Sequence, residues 1–467
     1  MQFLAFLQDS YREAKSGWVL QVMLVLAALL ILLIASVGFR PVTLRDELDD
    51  HLELYTRLLD SNPESGRPKF SVENVTSTNT AEPWKADYAF EFVVACATPE
   101  DMKKANRPGL PVSRSEVDRM LQSELQFLND VKVTGGPPEL EKPEGADAKK
   151  DANKTDANKT DAKDAPKKAL PTEVRYQVTT KGTKVEDRLA WRHKVSILFV
   201  YEIPHLYRSL RDCVYYLEKY LVNWVAGSVL LFVAVVITAG FIPNMLAKGS
   251  LDLFVSKPIG RVRLLVYKYV GGLTFVLILT TVTVLGVWLA IGVRTGLWPL
   301  NFLSIIPVIT FCFAVLYAFS TLAAVLTRST LVAILLTGVA WGLLWGVGKV
   351  NDGIESRREQ AAQAKPQAGT PEAVLREVES EQPLWGFIPR STFPVFSAIH
   401  TITPRTYEMD DRLVRVIAEG VLTPNELKAK EYDRPIRTSW AEMVLVSLCG
   451  IGTLLGISAW RFAARDY

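Results

Sequence analysis

Six apolar runs constrain this chain most. They lie at 18–38, 220–241, 269–293, 302–325, 331–350 and 443–460. Each holds the roughly 17 to 25 residues that a helix needs to cross a hydrocarbon core about 30 Å thick. Inside lipid, only helices and closed barrels satisfy every backbone N–H and C=O, and runs of this length suit helices rather than barrel strands. The expected fold is an all-α polytopic membrane protein with six transmembrane helices. Ahead of the first run, residues 1–17 place Phe3, Leu4, Phe6, Leu7 and Tyr11 near one helical face, followed by Arg12 and Lys15. That pattern predicts a helix lying at the cytoplasmic interface. It does not suit a signal peptide, because the apolar run is too long and no small-residue cleavage site follows.

Cations in the short flanks orient the spans. With the N-terminus inside, the inner set is Arg12, Lys15, Lys248, Lys257, Arg261, Arg263, Lys268, Arg328, Arg461 and Arg465. The short outer loop near Thr295 holds Arg294 alone. Both termini, with the tail 461–467, are therefore expected in the cytoplasm of a cell whose plasma or inner membrane holds the chain. The polar segments 39–219 and 351–437 then lie outside. The first reads as an α+β extracytoplasmic domain inserted between helices 1 and 2. Leu44, Leu48, Leu52, Tyr55 and Leu59 keep helical spacing, and so do Val117, Met120, Leu121, Leu125 and Leu128. Residues 88–96, 173–180 and 195–201 have strand composition. Residues 141–168 repeat Asp-Ala-Asn-Lys-Thr without a large apolar side chain, so disorder is expected there. The second outer segment turns apolar from Leu384 to Phe396, which predicts that 383–404 lies on or dips into the outer leaflet.

Little in the chain suggests catalysis. No Walker A, GxSxG or HExxH pattern occurs. No catalytic residue, metal site or bound cofactor is expected. A formal charge of +3 does not suggest nucleic acid. The histidines His51, His193, His205 and His400 read as ordinary core or surface residues. Of the cysteines, Cys96 and Cys213 fall in the outer domain and form a possible disulfide, with two free thiols an open alternative. The apolar runs hold almost no ionisable residue away from their ends. Lys268 sits where it can snorkel to the inner interface. That pattern argues against an ion-coupled carrier and suits a path driven by an external engine.

The loop 242–268 is the most informative short stretch. Its five cations surround Met245, Leu246, Leu251, Leu253 and Phe254, and Pro258 breaks it before the third span. An amphipathic segment in such a loop suits a helix at the membrane surface that is offered to a soluble partner. The block Lys248-Gly249-Ser250-Leu251-Asp252-Leu253, with Ser256-Lys257-Pro258-Ile259 and Arg261, resembles the cytoplasmic loop of ABC-2 type transporter permeases. The likeness covers the six-span body and not the first outer domain. It is nearest to permeases linked with multi-copper enzyme maturation. Many family members carry an acidic residue just before the Gly-Ser/Thr step, where this chain has Ala247-Lys248.

The resemblance implies a non-catalytic exporter subunit whose loop docks on a separate ATP-binding subunit that carries ATP and Mg. Leu251, Asp252, Leu253, Phe254, Lys257, Pro258 and Arg261 are the expected contact residues. Small residues at Gly338, Gly342 and Gly346 allow close helix packing, either within one chain or between two. Because related permeases pair through their first and fifth spans, the resemblance implies a dimer seam with a second permease copy. The alternatives are a membrane-anchored sensor or assembly protein with a ligand-binding outer domain, and an intramembrane enzyme.

Overall fold

The computed structural model describes residues 19–48, 69–95, 114–136, 173–185, 187–203, 208–246, 260–363, 388–430 and 438–464. It is mostly helical, with a small β region toward the N-terminus. The chain divides into two units, Gly38–Leu210 and the remainder, Met1–Val37 with Arg211–Tyr467. The apolar helix α1 (Val19–Ala35) precedes the β unit in sequence.

The β unit holds eight described strands. They are β1 (Gly38–Pro41), β2 (Lys69–Ser77), β3 (Tyr88–Ala95), β4 (Lys132–Gly135), β5 (Glu173–Thr179), β6 (Arg192–Ile197), β7 (Tyr201–Glu202) and β8 (Arg208–Ser209). One antiparallel sheet runs β2-β3-β5-β4; the other runs β1-β6-β7, with β8 also paired to β6. Alternation builds the first sheet, broken in β3 where Val93 is buried too. Tyr88, Phe90, Phe92 and Val94 of β3 are buried, as are Val174, Tyr176 and Val178 of β5. Helix α2 (Arg114–Glu124) adds Val117 and Leu121 to the same core. On the outer face Arg175 bridges Glu73 at 3.1 Å and Glu91 at 3.4 Å.

The strand expected over 195–201 is two short strands. The chain reverses after Ile197, which pairs with Tyr201. Leu198 and Phe199 adopt positive φ of 54° and 61°. Successive positive φ gives the mirror-image turn whose twist matches a hairpin. The apolar composition of this tip hid the reversal.

The other unit is a helix bundle. Helix α3 (Leu210–Met245) contains a π-helical stretch, Leu221–Leu230. It is followed by α4 (Arg261–Thr295), α5 (Ile305–Thr327), α6 (Thr330–Gln363), α7 (Phe393–Ile402), α8 (Thr406–Val421), α9 (Pro424–Ala429) and α10 (Trp440–Ala464). Among the described residues, five helices are long and apolar enough to cross a membrane: α3, α4, α5 with the turn before it, α6 and α10. They contain the last five apolar runs. Helix α1, 17 residues long, is apolar but shorter. Several helices outrun their apolar stretch, because polar residues continue the backbone hydrogen-bond ladder outside an apolar environment; α4 starts at Arg261 and α6 ends at Gln363. Helix α5 is central, with Phe313, Val315, Tyr317 and Ala318 fully buried. Tyr269 of α4 stacks on Tyr317 at 5.1 Å and donates its hydroxyl to the Ala314 carbonyl at 2.7 Å.

Candidate functional site

Two places in the bundle stand out: the helix ends that flank the loop, and a cleft lined partly by α8. At the loop, Leu251, Asp252, Leu253, Phe254, Lys257 and Pro258 lie outside the described residues. Arg261 is described. It is the half-buried first residue of α4, behind the extended N-cap Gly260. The flanking helix ends are tied together. Ile242 and Met245 of α3 and Leu264 and Leu265 of α4 share one buried apolar cluster with Ala323, Ala324 and Val325 of α5, Ala333 of α6 and Phe462 of α10. The sequence predicts that Lys268 snorkels to the inner interface. It is only 3% exposed, because it falls on the inward face of α4 with Leu264, Leu265 and Tyr269.

The glycines of α6 have open surroundings. A Cβ at Gly338, Gly342 or Gly346 would meet no described atom within 4 Å. Leu335, Val339 and Leu343 nearby are strongly exposed. Cys96 lies outside the described residues, so the possible pairing with Cys213, buried on α3, does too.

Helix α8 comes from the polar segment between α6 and α10. Met409, Leu413, Ile417 and Val421 recur every four residues and are buried, whereas Asp411 and Glu419 face outward. Close approaches seat it. A Cβ at Gly348 of α6 would lie 2.5 Å from the Tyr407 Cβ, and one at Gly227 of α3 would lie 3.3 Å from Asp410 Oδ1. Asn301 donates its side-chain N–H to the Val416 carbonyl at 2.9 Å. Arg405, ahead of α8, pairs with Glu442 of α10 at 3.0 Å, and His400 of α7 pairs with Glu408.

Beside α8 opens a cleft of about 700 Å³. The π-helical stretch of α3 contributes Asn223, Trp224, Gly227 and Ser228 to its wall; α5 contributes Ile309, Cys312 and Leu316. Trp341, Trp345 and Lys349 come from α6, and Tyr407, Asp410 and Asp411 from α8. In the π stretch Ser228 donates its hydroxyl to the carbonyl of Asn223, five residues back, at 3.2 Å. Such stretches recur at functional positions because they shift side chains out of the regular helical register. Lys349 donates to the Tyr407 hydroxyl at 3.3 Å and lies 5.7 Å from its ring centroid. Asp410 Oδ1 is buried and accepts no hydrogen bond among the described residues. Burial, and then the neighbouring Asp411, push the Asp410 carboxyl up to about 7.

A family model described as ABC-2 family transporter protein matches residues 11–467. The chain belongs to the ABC-2 transporter family. ABC-2 permeases are membrane transport components, generally non-catalytic, and generally work with an ATP-binding subunit. No curated protein and no solved structure matches the chain.

In this ABC-2 protein the apolar runs alone give an incomplete view of charge in the bundle. Asp410 reaches the cleft from a segment outside those runs. Glu218 of α3, just before the second run, is fully buried, and neither carboxylate oxygen has a partner among the described residues. A signal for α8 was present in the four-residue spacing of Met409, Leu413, Ile417 and Val421. Of 383–404, expected at the outer leaflet, the described part contains α7, with Val395, Ile399 and Ile402 exposed.

Proposed function

We propose that the chain is the permease subunit of an ABC-2 exporter, moved by a separately encoded ATP-binding subunit that docks on the loop 242–268. On this reading α1 is the first of six spans and both termini are cytoplasmic. The β unit is an extracytoplasmic insertion, and 351–437 is outside as well. The ATP-binding subunit carries ATP and Mg. A second permease copy, identical or a sister chain, packs on the face of α6 that carries Gly338, Gly342 and Gly346. The open surroundings of those glycines support this, since small residues let helix backbones approach closely. The likeness to permeases of multi-copper enzyme maturation belongs to this proposal and rests on sequence alone.

The buried cluster at the loop ends carries the reading. It joins α3 and α4, which flank the loop, to α5, α6 and α10. Packed interiors transmit displacement rather than absorb it. A push on the loop as the ATP-binding subunits close would therefore enter α3 and α4 together and pass to three further helices. Helices α3, α5 and α6 also line the cleft, so the same displacement would reshape it.

The experiment is pull-down of the ATP-binding subunit from detergent extracts with matched permease levels. Truncating a buried apolar anchor costs about 2 kcal/mol or more. An exposed rim charge contributes about 0 to 1 kcal/mol. Phe254→Ala should therefore weaken association more than Lys257→Ala, with both variants inserting normally. Full binding and transport by Phe254→Ala and by a Leu251→Ala/Leu253→Ala pair would reduce the loop to a topology determinant.

A further inference from the structure

We propose that the cleft between α3, α5, α6 and α8 binds an organic cation with an apolar body, its charged centre held against Asp410 and the surrounding aromatic rings. The exporter reading is needed only to call that ligand cargo; binding itself stands on the cleft.

Charge decides the class of ligand. Four charged residues line the cleft: Lys219, Lys349, Asp410 and Asp411. Both lysines already lie against tyrosine rings, Lys219 at 5.7 Å from Tyr215 and Lys349 at 5.7 Å from Tyr407. Asp411 is engaged too. Asp410 Oδ1 remains buried without a hydrogen bond among the described residues. Leaving such an atom unmatched is costly, and a neutral apolar ligand would not change that. An anion would meet two carboxylates and the indole rings of Trp224, Trp341 and Trp345. A cation is attracted by both, since ring faces carry negative potential.

Shape and space decide the rest. At Gly227 the α3 backbone comes close to Asp410, since a Cβ there would lie 3.3 Å from Oδ1 and 3.0 Å from the Val222 carbonyl. Along α3 the lining runs from Lys219 to Leu231, and along α6 from Lys349 back to Trp341. Each wall thus grades from charged to apolar, which suits an amphiphile. A volume of about 700 Å³ falls in the range of small-molecule sites, about 300 to 1,000 Å³.

The test uses the full chain in lipid nanodiscs, with empty nanodiscs to subtract partitioning. The probes are tetraphenylphosphonium and tetraphenylborate, which share shape and size but carry opposite charge. Binding is followed by equilibrium dialysis and by quenching of tryptophan fluorescence. Tetraphenylphosphonium should bind saturably and tetraphenylborate should not. Asp410→Asn, which keeps shape and removes charge, should weaken phosphonium binding at least tenfold without shifting the melting temperature. Trp345→Leu, at a strongly exposed ring, should weaken it severalfold and decides the matter if Asp410→Asn fails to fold. Equal binding of both probes, no saturable phosphonium binding, or undiminished affinity in a folded Asp410→Asn protein would each overturn the proposal. If Asp410→Asn fails to fold, undiminished affinity in Trp345→Leu would overturn it as well. The assay needs no ATP-binding subunit. Failure here with partner pull-down intact leaves the exporter reading standing, and loss of partner binding with phosphonium binding intact does the reverse.

Discussion

At the scale of single residues, His193 ties the stability of the β unit to pH. Its side chain is fully buried, and Nδ1 donates to the Trp191 carbonyl at 2.9 Å. Nε2 is buried without a partner among the described residues, so the neutral ring with its proton on Nδ1 fits the site. Burial holds the imidazole below its ordinary value. The unfolded chain therefore takes up this proton at higher pH than the folded chain does. Stability from this site is fully present above the unfolded value of about 6.5. It falls as pH drops from there toward the folded value, by at most about 1.4 kcal/mol per pH unit. Melting temperature should thus fall between pH 7.5 and 5.5, and His193→Phe should flatten that dependence. An unchanged slope in the variant would show that other groups set it.

At the scale of elements, α8 depends on close approach to a helix nearly sixty residues earlier. A Cβ at Gly348 would strike Tyr407 at its own Cβ, which cannot swing aside as a ring tip could. Overpacking of this kind costs about 1 to 3 kcal/mol. Gly348→Val should therefore speed amide exchange across 406–421 about tenfold or more, whereas Gly346→Val, with no described atom within 4 Å, should not. Equal exchange in both would mean that α8 is seated by its apolar face alone. Local pattern made some elements legible. The alternation of Tyr88, Phe90, Phe92 and Val94 announced β3, and the unbroken apolar runs announced five long helices. It did not announce the reversal at Leu198 and Phe199, whose side chains suit a strand while their backbone forms a turn. The cleft was hidden for a different reason. Asp410 and Trp341 are 69 residues apart, and only the docking of α8 brings them to one wall.

At the scale of the whole molecule, the bundle sets the loop ends apart from the cleft and links them through α3, α5 and α6. The central claim is that a soluble ATP-binding subunit grips the loop from the cytoplasm. Photocross-linking tests it most directly, with benzoylphenylalanine placed at Phe254 or at Gln367 in cells that express both proteins. A covalent adduct with the ATP-binding subunit should form from position 254 and not from position 367, which the proposed topology puts on the other side of the membrane. No adduct from 254, with capture of the ATP-binding subunit from 367, would contradict the proposed topology and the coupling role of the loop together.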